Sequence, residues 1–161
     1  MVATLQVSVS YGAGPTNSDG VTGIDLISAD NATNSLANRQ AFPITVGTNS
    51  YEKWVRLKVS AYPDNYVRSF KVWGDGGVMT STTLFFTGAW STYQQGTTAT
   101  STIANANFTT YTSTNKAVWD DGSYTATNDY TQYTVWQLAV GSDASPGNWT
   151  QETINYSYEE A

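Results

Sequence analysis

A chain of 161 residues can bury a full core, since about 68–70% of the unfolded surface goes under at this size, and one domain over 1–161 is the expectation. Thr, Ser, Asn, Gly, Tyr and Val dominate, aromatics reach 14%, and charged residues fall to 12% against about 25% in an ordinary soluble domain, which argues against both a helical fold and disorder. A net charge of −6 argues against a nucleic-acid partner, and the absence of Cys and His removes disulfide frameworks, thiolate or imidazole metal sites and Ser-His or Cys-His catalysis.

Strand signals run the length of the chain. Leu5 to Tyr11 alternates cleanly, with Leu5, Val7, Val9 and Tyr11 on one face. The turn-rich stretch Gly12 to Gly23 follows, then short strands at Ile24 to Ser28 and Phe42 to Val46, separated by a polar loop up to Gln40. Tyr51 to Ala61 is the longest predicted strand: Val55, Leu57, Val59 and Ala61 read as core. Glu52, Trp54, Arg56, Lys58 and Ser60 read as an exposed basic ribbon containing one tryptophan. Pro63-Asp64-Asn65 turns the chain into Tyr66 to Trp73, whose inward residues read as Tyr66, Phe70 and Val72.

After the turn Gly74-Asp75-Gly76-Gly77, Val78 to Thr87 reads as a buried strand around Leu84-Phe85-Phe86. Gly88 to Gly96 reads as a loop carrying Trp90 and Tyr93, and Thr97 to Ile103 and Phe108 to Tyr111 as Thr-rich strands. Ala117 to Trp119 and Tyr124 to Thr127 flank Asp120-Asp121-Gly122 as a hairpin, because Asp-Gly tolerates positive φ. Gln132 to Val140 and Trp149 to Tyr158 close the chain around a Pro146-Gly147-Asn148 loop. About eight to ten short strands and no convincing helix predict an all-β fold, an antiparallel β-sandwich or jelly roll. An internal echo, Val72-Trp73-Gly74-Asp75-Gly76 against Val118-Trp119-Asp120-Asp121-Gly122, reads as two strands that both end in an aromatic and an acidic turn.

Charge is unevenly placed. Six of the seven basic residues, Arg39, Lys53, Arg56, Lys58, Arg68 and Lys71, lie between 39 and 71. With Glu52 and Asp64 this stretch carries +4, leaving −10 elsewhere. Such a chain can meet copies of itself, or an acidic partner, head to side. Equally, the charges can simply keep a long strand solvated. Glu159 and Glu160 can face solvent or meet the basic segment of a neighbour.

The chemistry left to the chain is carboxylate chemistry, which needs two acids flanking a bond. Asp19, Asp64, Asp75, Asp120 and Asp121 fall in predicted turns, where such residues usually bond the local backbone, and Glu152 in a strand. Their spacing singles out no acid–nucleophile pair, so no enzyme and no cofactor are expected. Asp120-Asp121 can in principle join a loop-built calcium site, but no EF-hand spacing occurs. Met1 to Ser10 shows neither a basic leader nor an apolar segment, and no apolar run approaches the ~20 residues of a membrane helix, so cytoplasmic synthesis and no membrane contact are expected. Six Trp and eleven Tyr exceed what one sandwich core takes, which makes Trp54, Trp90 and Tyr93 candidates for protein contact or for stacking on sugar rings. Packing beneath long loops is the plainer alternative.

Several segments resemble small structural proteins of tailed bacteriophages: Tyr11-Gly12 with Pro15-Thr16, Val21-Thr22-Gly23-Ile24, Ala29-Asp30, Asn49 to Leu57, and Phe70-Lys71-Val72-Trp73. The likeness covers about the first half of the chain, up to residue 80. It implies a virion-surface protein made in the bacterial cytoplasm, one that decorates or cements the capsid as a homo-oligomer, with a trimer favoured. The major capsid protein or another virion protein would be its partner, and no catalytic residue comes with the likeness. Contact is expected through the basic segment and the aromatics, namely Trp54, Arg56, Lys58, Arg68, Lys71, Trp90 and Tyr93. A neck, tail or fibre protein is the structural alternative. A carbohydrate-binding module with Trp54, Trp90 and Tyr93 as its platform is the alternative from another class.

Overall fold

The computed structural model describes residues 2–61, 65–76, 80–98, 103–145 and 151–161. The strands are β1 (Thr4–Tyr11), β2 (Thr16–Asp19), β3 (Lys53–Ala61), β4 (Val67–Gly74), β5 (Thr82–Trp90), β6 (Ala106–Asn107), β7 (Ala117–Asp120), β8 (Tyr133–Val140) and β9 (Ile154–Glu160). They form a six-stranded sheet, β2-β1-β3-β8-β5-β6, and a three-stranded sheet, β7-β4-β9, all pairings antiparallel. The expected all-β sandwich is what the chain adopts.

The core lies between the sheets, as the alternation of β1 and β3 dictates. Val9, Val55, Leu57, Leu84, Phe86, Trp136 and Leu138 of the larger sheet face Val67, Phe70, Val72 and Trp119 of the smaller. Phe108 fills the gap at one end, with its ring centroid 4.6 Å from Trp136 and 5.4 Å from Phe86. Burial of a Val- or Leu-sized side chain contributes about 1.5–3 kcal/mol, so this layer is the main source of stability.

Several local expectations change. The 12–23 stretch contains β2, a polar edge strand of Thr-Asn-Ser-Asp held by pairing with β1 rather than by propensity. Ile24–Ser28 and Phe42–Val46 form no strands and touch through one bond, Ser28 N–H to Phe42 O at 3.0 Å. Between them Leu36–Ala41 forms a short helix, α1, capped by the Ser35 hydroxyl accepting from Asn38 N–H. Phe108–Thr110 is a 3₁₀ turn because the Asn107 side chain accepts from Thr109 N–H, which draws the chain out of extended geometry. The expected turns at Pro63-Asp64 and Pro146-Gly147-Asn148, and most of the strand from Thr97, lie outside the described residues, as do Val78 and Trp149.

In β4 Ser69 has φ +57° and the pairing with β9 slips between Arg68 and Lys71, a bulge that breaks the alternation. Val67 therefore turns inward, and Tyr66 stays half-buried beside Arg68, whose guanidinium lies 4.6 Å from its ring centroid. The Asp120-Asp121-Gly122 hairpin does not form: β7 pairs with β4, and Tyr124 bridges to Val67 instead. Both halves of the echo do end strands, β4 at Gly74 and β7 at Asp120, but the two ends are not equivalent, since Trp119 is buried in the core while Trp73 is half-exposed on the opposite face. No described helix is long and apolar enough to cross a membrane.

Candidate functional site: two sheet faces

The outer face of the larger sheet holds Trp54, Arg56 and Lys58 in a row, as alternation along β3 requires. Exposure of Trp54 is corrected by the structure: it is fully buried, at 0% exposure. Its indole meets Tyr93, Tyr133 and Trp90 edge-on, at centroid distances of 5.5, 5.6 and 6.4 Å. The chain after β5 is laid over it. Tyr93 O–H donates to Gly12 O at 2.8 Å, and Thr97 O accepts from Glu52 N–H at 3.0 Å. Gly96 lets this segment close, because a Cβ there would stand 2.5 Å from the Glu52 carbonyl. With Val135, Phe85, Ile103 and Ala104 these aromatics make a second, smaller core. Trp90 ends β5 rather than lying in a loop, and a kink at Ala89 (φ +60°) turns it toward Trp54.

Arg56 and Lys58 are also committed. The Arg56 guanidinium lies 3.8 Å from the Tyr130 centroid and 4.7 Å from that of Tyr133, and reaches Asn17 Oδ1 at 3.3 Å. Lys58 Nζ pairs with Asp19 Oδ2 at 2.8 Å, and Tyr130 O–H donates to the same oxygen at 3.2 Å. Burial pushes the Asp19 carboxyl up, but the hydrogen bonds from Lys58 and Tyr130 and the Lys58 charge outweigh it and hold the group below its ordinary value. The hydrogen bond to Asp19 raises the Lys58 amine in turn. In the expected basic ribbon, β2, the strand that the sequence did not reveal, thus neutralises Lys58 through Asp19 and engages Arg56 through the uncharged Asn17.

Lys53 falls on the core side of β3 and is buried. Its Nζ donates to Ala29 O and Asn31 O, both at 2.7 Å, tying the loop before α1 to the sheet. Burial pushes the amine down to about 8 against the opposing pull of Asp30 and Asp25. The unfolded lysine titrates near 10.4, so from about pH 8 upward the unfolded state holds more protons and stability rises with pH. Burial raises the Tyr93 hydroxyl to about 12, and raises Tyr124 and Tyr156 as well. Tyrosines ionise near 10 when unfolded, so their contribution is lost above that pH. Urea midpoints are expected to climb modestly from pH 8 toward 10 and fall steeply beyond it. Lys53→Met should remove the climb and keep the fall.

The smaller sheet presents an open outer face. Lys71 stands opposite Val118 on β7 and Ser157 on β9, and Trp73 lies opposite Asn155. Lys116, at the start of β7, places its Nζ 4.0 Å from the Trp73 ring centroid. Arg68 pairs with Glu159 of its own chain at 3.5 Å, so Glu159 is not left over for a neighbour. Glu160 accepts from Ala3 N–H at 2.8 Å but meets no cation among the described residues. Val118 is 56% exposed, among the most exposed large apolar side chains described.

The predicted contact residues therefore divide. Trp54, Trp90 and Tyr93 join one cluster, Trp54 fully buried and the other two partly so, with Arg56 at its rim and Lys58 beyond, while Arg68 and Lys71 lie on the other sheet. Sequence reasoning missed Asn17, Tyr130, Tyr133, Trp73, Lys116 and Val118 as face residues. Only Lys116 carried a signal, as the one basic residue outside 39–71.

Of the carboxylates, Asp120 is buried, and its oxygens accept from Tyr124 O–H at 2.6 Å and from Gly122 and Gln132 N–H at 2.7 Å. These three hydrogen bonds account for its burial. Asp64 lies outside the described residues. Two shallow depressions, of about 340 and 430 Å³, are lined by Thr, Ser and Gly with few charged groups. Comparison of the chain with protein-family models, with curated proteins and with solved structures finds no match.

Proposed function

We propose that this chain is a non-enzymatic structural protein of a tailed-phage virion, in its most specific form a capsid decoration protein that binds the outside of the head and stabilises it. The supporting observation is the smaller sheet: an outer face carrying Arg68, Lys71, Trp73, Lys116 and Val118, bounded by β7 and β9 as sheet edges. Aromatic and basic side chains around an apolar spot suit protein contact, and sheet edges add backbone groups that a neighbour can pair. The major capsid protein or another virion protein is the partner on this reading, and neck, tail or fibre placement is the same proposal at a different location.

The sugar-binding reading keeps less support, because of its three rings Trp54 is covered and only Trp90 and Tyr93, both partly buried, reach solvent. Light scattering after size exclusion, over a range of concentrations, separates the two classes. A trimer or another defined oligomer that ignores a glycan array is the expected result. A monomer that binds glycans would overturn the proposal.

A further inference from the structure

The outer face of the smaller sheet has a charge that the rest of the chain lacks. Arg68, Lys71 and Lys116 against Glu159 leave it at +2, on a molecule whose net charge is −6. The other cations are occupied within the chain: Arg39 by Asp25 at 2.7 Å, Lys58 by Asp19, Lys53 by two carbonyls, and Arg56 by Tyr130 and Asn17. Among the described residues neither Lys71 nor Lys116 has a carboxylate within ion-pair distance. Trp73 and Val118 stand beside them, half-exposed and exposed.

We infer that this face docks against an acidic flank of a second copy of the same chain, head to side. The inference rests on the reading of the chain as a self-assembling structural protein, and it supplies the contact. Charge decides the geometry. A two-fold, face-to-face pairing would set Lys71 and Lys116 of one copy against those of the other, and like charges placed opposite cost several kcal/mol. Asp121 and Glu160, exposed at one end of the smaller sheet and without a cation among the described residues, give the second copy the complementary sign. A head-to-side contact uses different surfaces on the two partners, so it closes into a ring where the rotation allows and otherwise grows.

Area sets the strength. Three strands at about 4.8 Å spacing and some seven residues at about 3.3 Å make a platform of roughly 330 Å². That is under half of the ~800 Å² per partner of a standard interface, so assembly should depend on concentration and salt. Nucleic acid fits this face poorly, because few basic groups on an acidic chain release few counterions.

The test uses the full-length protein and a Lys71→Glu/Lys116→Glu variant, with Lys71→Gln/Lys116→Gln as a milder second pair and circular dichroism to verify folding. Wild-type protein should assemble at high concentration. It should fall toward its 17.4 kDa chain mass when salt is raised from about 0.1 M to about 1 M, which shortens the screening length from about 10 Å to about 3 Å. Both variants should stay monomeric alone. A fluorescently labelled Glu variant should still join wild-type assemblies, because its acidic flank is intact. Variants that assemble like wild type overturn the inference while leaving a virion oligomer standing. A folded variant that neither self-associates nor joins wild type overturns the head-to-side geometry, and a wild-type monomer at every concentration overturns contact between copies altogether.

Discussion

Trp54→Ala is expected to cost about 3–5 kcal/mol, enough to leave a domain of ordinary stability largely unfolded at moderate urea. The residue sits at 0% exposure and touches three other aromatic rings, and nothing nearby is small and flexible enough to fill the space. Its loss should also free the segment that covers it, since Tyr93 would keep only its bond to Gly12 and its contact with Tyr133. Amide exchange at Glu52, whose N–H is held by Thr97 O, should then rise well before global unfolding. Trp54→Phe is the informative companion. It keeps an aromatic edge in the cluster and removes an indole N–H that has no acceptor, so it should cost under about 1.5 kcal/mol. Urea midpoints for the two variants check this. If alanine costs no more than phenylalanine, Trp54 is a surface residue and the sequence expectation stands after all.

That expectation failed for a physical reason. Alternation along a strand assigns each side chain to a face, and for β3 it did so correctly. It does not say what lies on top of that face. Trp54 is covered by residues 90 to 98, some forty positions later, and the contact is made possible by Gly96 and fixed by the Tyr93 hydroxyl. Period and propensity were enough for β1 and β3, whose apolar residues recur at every second position, and for the outlines of β8, which is buried on both faces, and β9. They failed where backbone geometry departs from the pleat. Ser69 and Ala89, both at positive φ without being glycine, shift the alternation and so move Val67 and Trp90 to positions that the plain pattern denied them.

The stretch from Gly12 to Asn49 was the least legible part. Its order comes from polar pairs rather than apolar period: Asp25 accepts from Arg39 and Ser35, Asp30 from Gly12, and Lys53 holds two carbonyls. Each of these links is distant in sequence and carries no local signature. The same holds for the open face of the smaller sheet. Lys71 was legible as basic and Trp73 as aromatic, but only the registers β4–β7 and β4–β9 place Lys116, Val118 and Ser157 around them. Cross-strand pairing is what turns scattered basic residues into a surface.

Asp120→Ala should be the most damaging single change among the charged residues, at about 2–4 kcal/mol. Three donors lose their acceptor at once: Gly122 N–H, Gln132 N–H and the Tyr124 hydroxyl. Each orphaned, desolvated donor costs about 1–3 kcal/mol, and the half-buried position of all three lets water recover part of it. The carboxylate organises more than a turn. From it the chain runs to Tyr124, which pairs with Val67 of the smaller sheet, and to Asn128 and Thr131, which bond Val59 and Leu57 of the larger. Asp120 therefore anchors the segment that links the two layers outside the core. A double-mutant cycle with Tyr124→Phe isolates the shared bond, a charge-assisted one worth about 1.5–3 kcal/mol, and the double variant should cost less than the sum of the singles by about that amount. Strict additivity would mean that the bond contributes nothing. Because Asp120 also ends β7, which places Val118 and the preceding Lys116 on the open face, Asp120→Ala should weaken self-assembly even under conditions where it remains folded. Asp129→Ala supplies the control: among the described residues its carboxylate accepts from the local Thr125 and Ala126 amides, and its backbone bond from Val59 survives the substitution, so assembly should be unchanged.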